Sequence, residues 1–475
     1  MKQMRMRFRF MTVLIIGLLV LASTYGVYSV STFGNRWFSS ARNTRYQAAK
    51  KSVIKGDIID RNGIMLATTD QNGDRVYQSD SRSRSAIVHL IGDEEGNIAN
   101  GVDTFQASYL LGFESSLSER ISDLLSGKVR RGDDVTLTVD SKLCTEIVSY
   151  FYADTKTRGR NGAAVVMNYQ TGEVLGMVSL PIFDPTKVDD SVKNNPHHPF
   201  WNRALQSVLP PGSTFKILTT ISALKNMTNA QDQIFNCTGA TQVMGQIITD
   251  YNRAQHEDLN LERAFQVSCN NVFAQVALLL GDNTLRRTAE DFGFNDNFLF
   301  RDLVVQNSVY PTKNRNSFEL AWSGVGQSQV GATPMHMCMV AGAIANEGVM
   351  MEPRLLAKVE SSTKAVRMHF SQKIYRRACD PATAKILDDY MKKTVASGTG
   401  TSARVSGLTI AGKTGSAETS IGGRPTTHAW FVGYIADQNL PYACAVLVEE
   451  GGSGGSVAAP IAGKIFQYLK NHYGQ

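Results

Sequence analysis

Polar and apolar positions change their spacing several times along the chain, and each change marks a different kind of element. Residues 10–30 carry no charge, and Val13, Leu14, Ile15, Ile16, Leu18, Leu19, Val20 and Leu21 are nearly continuous within them. About twenty such residues span a bilayer as a helix, so the pattern predicts one N-terminal transmembrane helix. Lys2, Arg5, Arg7 and Arg9 precede it and the next basic residue is Arg36, which predicts a cytoplasmic tip and an extracytoplasmic remainder. Val20, Leu21 and Ala22 would also pass as a signal-peptide cleavage site. Apolar character that continues through Tyr25, Val27 and Tyr28 favours the uncleaved anchor.

Beyond a polar, basic stretch at 41–55, residues 55–67 read as strand, Asn62-Gly63 turn, strand. Residues 86–132 are rich in Gly, Ser and Asp and hold no set of nucleophilic groups, so a small mixed α/β domain without chemistry is expected there. Strand patterns return at 134–140, 163–168 and 173–178, the first leading into a helix near Ser141. From Ser213 to about Tyr390 helical spacing dominates, broken by Gly and Pro. Three further strands are expected at 408–413, 429–435 and 442–448, then a closing helix from Pro460. Early strands, a helical middle and late strands predict an α+β fold in which both ends of one domain complete an antiparallel sheet flanked by helices. The expected division is 1–30 for tip and anchor, 31–134 for the N-terminal domain and 135–475 for the larger one.

Composition narrows the class only slightly. In 475 residues, 43% apolar and 19% charged is ordinary for a folded protein. The net charge of +7 is spread out, with no basic run interleaved with aromatics, which argues against nucleic acid as partner and leaves a polyanionic wall or membrane surface. Six cysteines (144, 237, 269, 338, 379 and 444) show no C-x-x-C spacing and no nearby histidine pair, which argues against zinc. Several lie in apolar runs and read as buried free thiols, with one disulfide as the alternative. No cofactor is expected.

The candidate chemistry begins at Pro211-Gly212-Ser213-Thr214-Phe215-Lys216, which opens an apolar helical run. Ser213 and Lys216 are three apart and so share a helix face; a lysine without its proton could take the serine proton and leave an alkoxide nucleophile. S-x-x-K alone is commonplace at solvated helix starts. Its company is not: Ser268-Cys269-Asn270 and Lys413-Thr414-Gly415-Ser416 follow in order. This trio resembles the signature of penicillin-binding proteins and serine β-lactamases. Residues 55–67 resemble a stretch of class B penicillin-binding proteins, with Lys55 where arginine is usual. Gly326-Gln327-Ser328, Thr333-Pro334 and Ala345-Asn346-Glu347-Gly348 extend the resemblance over most of 55–475.

The resemblance implies a peptidoglycan D,D-transpeptidase acting on D-Ala-D-Ala stem peptides and acylated by β-lactams. Its partners would be the membrane and other wall-synthesis proteins, a glycosyltransferase among them. Ser213 would be the nucleophile and Lys216 its base, with burial and the neighbouring cation Lys413 together depressing the Lys216 pKa. Ser268 would relay a proton and Asn270 hold substrate backbone. Thr414, Ser416 and Lys413 would bind a carboxylate, while Gly415 lets substrate come close. The N–H groups of Ser213 and Ser416 would form the oxyanion hole, each such donor being worth about 3 kcal/mol. The rivals are a D,D-carboxypeptidase, a serine β-lactamase (no E-x-x-L-N loop follows the second motif), and a scaffold or receptor using the N-terminal domain for partners. Residues 451–455 fit G-x-S-x-G and 398–403 fit G-x-G-x-x-A, but neither has the strand–turn–helix setting those motifs need. His197-His198 reads as loop polarity.

Overall fold

The computed structural model describes residues 2–38, 53–115, 119, 125, 129–313 and 315–474. Its central element is a five-stranded antiparallel sheet in the order 410–421, 424–435, 442–448, 162–168, 174–180. The strands Val174–Leu180 and Tyr442–Val448 are buried at every position, which explains their unbroken apolar runs: helices cover both faces. On one face lie Ser141–Ala153 and the closing helix Ala458–Tyr473; against the sheet also packs Pro334–Ala345, apolar all round and buried over residues 334–344. Late strands therefore pair with early ones, as the sequence pattern predicts.

Two parts of the pattern differ from expectation. The strand pair 410–421 and 424–435 is far longer than its apolar core, continuing through the polar stretch Thr414–Ser420 as a ribbon. The helical middle also contains short strands at 234–237, 240–243, 246–249 and 257–260, forming two small ribbons.

A six-stranded sheet lies toward the N-terminal side, ordered 366–369, 356–360, 134–137, 58–59, 65–69, 75–77. Ile58 and Ile59 pair in parallel with Val135 and Thr136, and that strand pairs on its other side with Leu356–Glu360. The expected division at residue 134 thus falls inside a sheet to which both portions contribute. The hairpin at 55–67 forms with its turn at 60–63; Lys55 is buried and ion-paired with Asp103, which also faces Arg75 at 3.1 Å.

At the N-terminus a helix runs Lys2–Phe38, and its stretch Met6–Ser29, of mean hydropathy 2.2, is long and apolar enough to cross a membrane. One apolar helix of this kind fits a single-pass anchor.

Candidate active site

Ser213 lies in a 3₁₀ turn, Gly212–Phe215, that runs directly into the helix Lys216–Asn226. The turn is held from behind: Gly212 N–H donates to Gly326 O at 3.0 Å, and a Cβ at Gly326 (φ +79°) would sit 2.1 Å from Gly212 O. Only glycine permits that approach. The neighbouring Gln327 amide bridges to the third motif's strand, donating to Glu418 O (3.2 Å) and accepting from Glu418 N–H (2.8 Å). Gly415 has a related duty, since a Cβ there would lie 2.8 Å from Pro211 O and 3.0 Å from Thr214 Cγ2. Besides the substrate approach expected of it, this glycine lets the strand pack against the serine turn.

The second motif is presented by a backbone reversal. Ser268 ends the helix Leu261–Val267 in the left-handed region (φ 63°), and Cys269 caps the next helix, Asn270–Leu280, its Sγ accepting from Val272 N–H at 3.3 Å. A left-handed non-glycine residue is strained, and such strain collects where side chains must be aimed. Ser268 and Asn270 both point at the lysines. Lys216 Nζ donates to Ser268 O and to Asn270 Oδ1, each at 2.7 Å, with Ser268 Oγ at 3.4 Å. Lys413 Nζ donates to that same Oγ at 2.8 Å and to Thr414 O at 3.2 Å. One serine hydroxyl therefore links two amines. Among the described residues Ser213 Oγ has no hydrogen-bond partner; such contacts commonly close only in the substrate complex.

Both lysines are fully buried, and each amine stands near an aromatic ring, Lys216 at 5.2 Å from the Phe273 centroid and Lys413 at 5.5 Å from that of Phe265. The rings offset part of the lost hydration. Burial pushes Lys216 down to about 8, against the opposing pull of Cys269 and Asp250. Lys413 is driven well below its ordinary value by burial and then by the charge of Lys216. Burial is the larger cause at both amines, and the repulsion between the two charges acts on each of them. Two buried amines joined through one hydroxyl titrate as a pair, and burial and repulsion both act against charging the two at once, which favours a single proton shared between them.

The motifs face a cleft of about 520 Å³ lined by Ser213, Ser268, Asn270, Thr414 and Ser416. Thr399, Gly452, Ser453 and Gly455 line it too. Thr414 Oγ1 donates to Thr399 Oγ1 at 2.6 Å, and Ser416 Oγ accepts from Gly454 N–H at 3.2 Å. The two glycine-rich segments set aside as decoys are therefore walls of the cleft. Asp250, also unforeseen, lies 3% exposed beneath the second motif, and its Oδ1 accepts from the N–H groups of Asn270 and Asn271. Only its sequence neighbourhood, a lone aspartate after a short strand, could have signalled it. His197-His198 lies away from the cleft. All six cysteines are free and buried. Ligand spacing for zinc is absent along the chain but present in space, where Cys237, Asp250, His256 and Cys269 bring one ligand atom each to within 4.8 Å of one another.

The family model for the penicillin-binding protein transpeptidase domain matches residues 162–467, and the chain belongs to that family. It is 30% identical over 396 residues to the peptidoglycan D,D-transpeptidase PbpA of Mycolicibacterium smegmatis, covering 77% of this chain and 78% of that protein. Penicillin-binding protein A from M. tuberculosis, solved as a ceftriaxone acyl-enzyme, superposes with a TM-score of 0.80 at 27% identity, over 88% of this chain and 99% of that one. Its penicillin G acyl-enzyme gives 0.79 at 26%, over 89% and 100%.

Proposed function

We propose that this chain is a peptidoglycan D,D-transpeptidase that works through an acyl-enzyme on Ser213. The observation that carries the reading is the linkage Lys216–Ser268–Lys413, two buried amines bridged by one hydroxyl beside the Ser213 turn, at a cleft closed by Thr414 and Ser416. With the shared proton on Lys413, Lys216 is neutral and takes the Ser213 proton as Oγ attacks the carbonyl of the penultimate D-Ala. The N–H groups of Ser213 and Ser416 hold the oxyanion. The terminal D-Ala nitrogen gains its proton from the lysine pair through Ser268, and D-Ala leaves. Its carboxylate is held by Lys413, Thr414 and Ser416, while Asn270 orients the stem peptide. An amine from a neighbouring strand then attacks the acyl-enzyme and forms the cross-link. β-Lactams enter the same first step.

The remaining assignments follow this reading. Residues 1–30 anchor the chain with its N-terminus in the cytoplasm, residues 31–134 serve as a non-catalytic pedestal open to other wall-synthesis proteins, and residues 135–475 carry the chemistry. The test is intact mass of the full chain in detergent, followed over hours after benzylpenicillin, beside Ser213→Ala. A lasting adduct absent from the variant is expected. Drug consumed without an adduct would mean a β-lactamase, and no reaction at all would leave a scaffold.

A further inference from the structure

The structure assigns a tetrahedral zinc site to Cys237, Asp250, His256 and Cys269, directly behind the second motif. The four residues come from four places: the end of the strand Ile234–Cys237, the residue after Gln246–Thr249, the residue before Glu257–Asn260, and the cap of the helix Asn270–Leu280. Pairing of Glu257 with Cys237 sets the first and third side by side.

The ligand atoms lie within a few tenths of an ångström of the spacing a bound ion would impose. Zinc bonds of about 2.3 Å to sulfur and about 2.0–2.2 Å to nitrogen and oxygen give tetrahedron edges of roughly 3.3–3.8 Å. Cys237 Sγ lies 3.1 Å from Asp250 Oδ2, 3.4 Å from His256 Nδ1 and 3.3 Å from Cys269 Sγ. Cys269 Sγ lies 3.3 Å from Asp250 Oδ2, and His256 Nδ1 lies 3.8 Å from it. Two thiols, a carboxylate and an imidazole converging on one point suit zinc in particular, because it takes sulfur, nitrogen and oxygen together and imposes no d-electron geometry. Three of the four are buried; the His256 side chain, 22% exposed, lines the cleft and leaves a path for the ion. The carboxylate is oriented by its other oxygen, which is held by the Asn270 and Asn271 N–H groups, the kind of outer contact that ligating carboxylates keep.

The ion would do positional work. Cys269 is the middle residue of the second motif, between the two residues that hold Lys216, and Asp250 reaches the Asn270 backbone. Zinc would fasten that motif to the ribbons 234–260, so these four are positioning residues for the chemistry. This part rests on the proposed transpeptidase reading; the metal site does not.

The test uses the full chain in detergent, purified without chelators. Elemental analysis should find about one zinc per chain. Cys237→Ser and His256→Ala should lose it. Cobalt(II) loaded into the stripped wild type should give thiolate-to-cobalt charge-transfer and tetrahedral d–d absorption, a readout that needs no variant to fold. Stripping zinc should slow benzylpenicillin acylation about 10- to 100-fold, and re-adding zinc should restore it. The site is overturned if the wild type takes up neither ion while all six thiols titrate, or if peptide mapping finds Cys237 and Cys269 joined as a disulfide. An unchanged acylation rate after stripping overturns the positional role. Absence of acylation in both forms, with cobalt bound, would instead count against the transpeptidase reading alone.

Discussion

The two walls of the cleft are built by different means. The wall carrying Ser213 and Lys413 is an extension of the main core: its strand lies in the five-stranded sheet, beside Trp430 and Phe431, both fully buried. The helices that carry Ser268 and Asn270 reach the same core through Leu261, Phe265, Val272 and Phe273, but the motif itself rests on the ribbons 234–260, where Ile234, Met244, Ile247 and Tyr251 are 57–76% exposed and the contacts to the motif are polar. A position in the first wall is therefore fixed by apolar packing over a wide area, and the seat of the second motif on the ribbons by a few directional contacts. Packing errors spread through the first wall and stay local in the second.

The contrast can be broken most sharply at its junction. Lys216→Ala removes the amine that both walls share, and the benzylpenicillin acylation rate should fall by about 10²- to 10⁴-fold. Trp430→Ala should destabilise the chain by about 3–5 kcal/mol, read from urea unfolding of the detergent-solubilised protein. Gly415→Ala forces a Cβ against Pro211 O and should cost about 1–3 kcal/mol in the same assay, with slower acylation as the serine turn shifts. Acylation should trace a bell against pH. Lys216 gives up its proton near pH 8 and can then take that of Ser213, so the rate should rise through that pH, and it should fall again at higher pH as Lys413 loses the charge that holds the carboxylate. On the acid side the rate falls as both amines become charged and Lys216 can no longer accept a proton; a profile flat from about pH 6 to 10 would overturn the paired assignment. The smallest effect belongs to the ribbons: Ile247→Ala, at an exposed position, should stay within about 0.5 kcal/mol of the parent.

The same contrast decides what was legible in the sequence. The first wall announces itself, because strands such as 442–448 are buried on both faces and read as continuous apolar runs, and because Ser213, Lys216 and Lys413 sit in compact motifs. The ribbons do not. Their strands are four residues long with mixed burial, and Asn252, Arg253 and Glu257 turn the chain at positive φ without glycine to mark the turns. Asp250 and His256 become meaningful only when those turns bring them beneath Cys269. The ribbon at 414–420 was missed for a related reason: its composition is polar, and its strand character comes from the partner strand 424–435.

The sharing of sheets between distant stretches of chain also sets an order of assembly. Residues 58–77 and 134–137 leave a strand edge open until 356–369 arrive, and 162–180 wait for 442–448 to be made. A chain synthesised from its N-terminus carries both unfinished edges for most of its length, each a template for pairing with other chains. Neither half can complete itself early, so a truncation before about residue 360 would leave two sticky edges and should accumulate as aggregate.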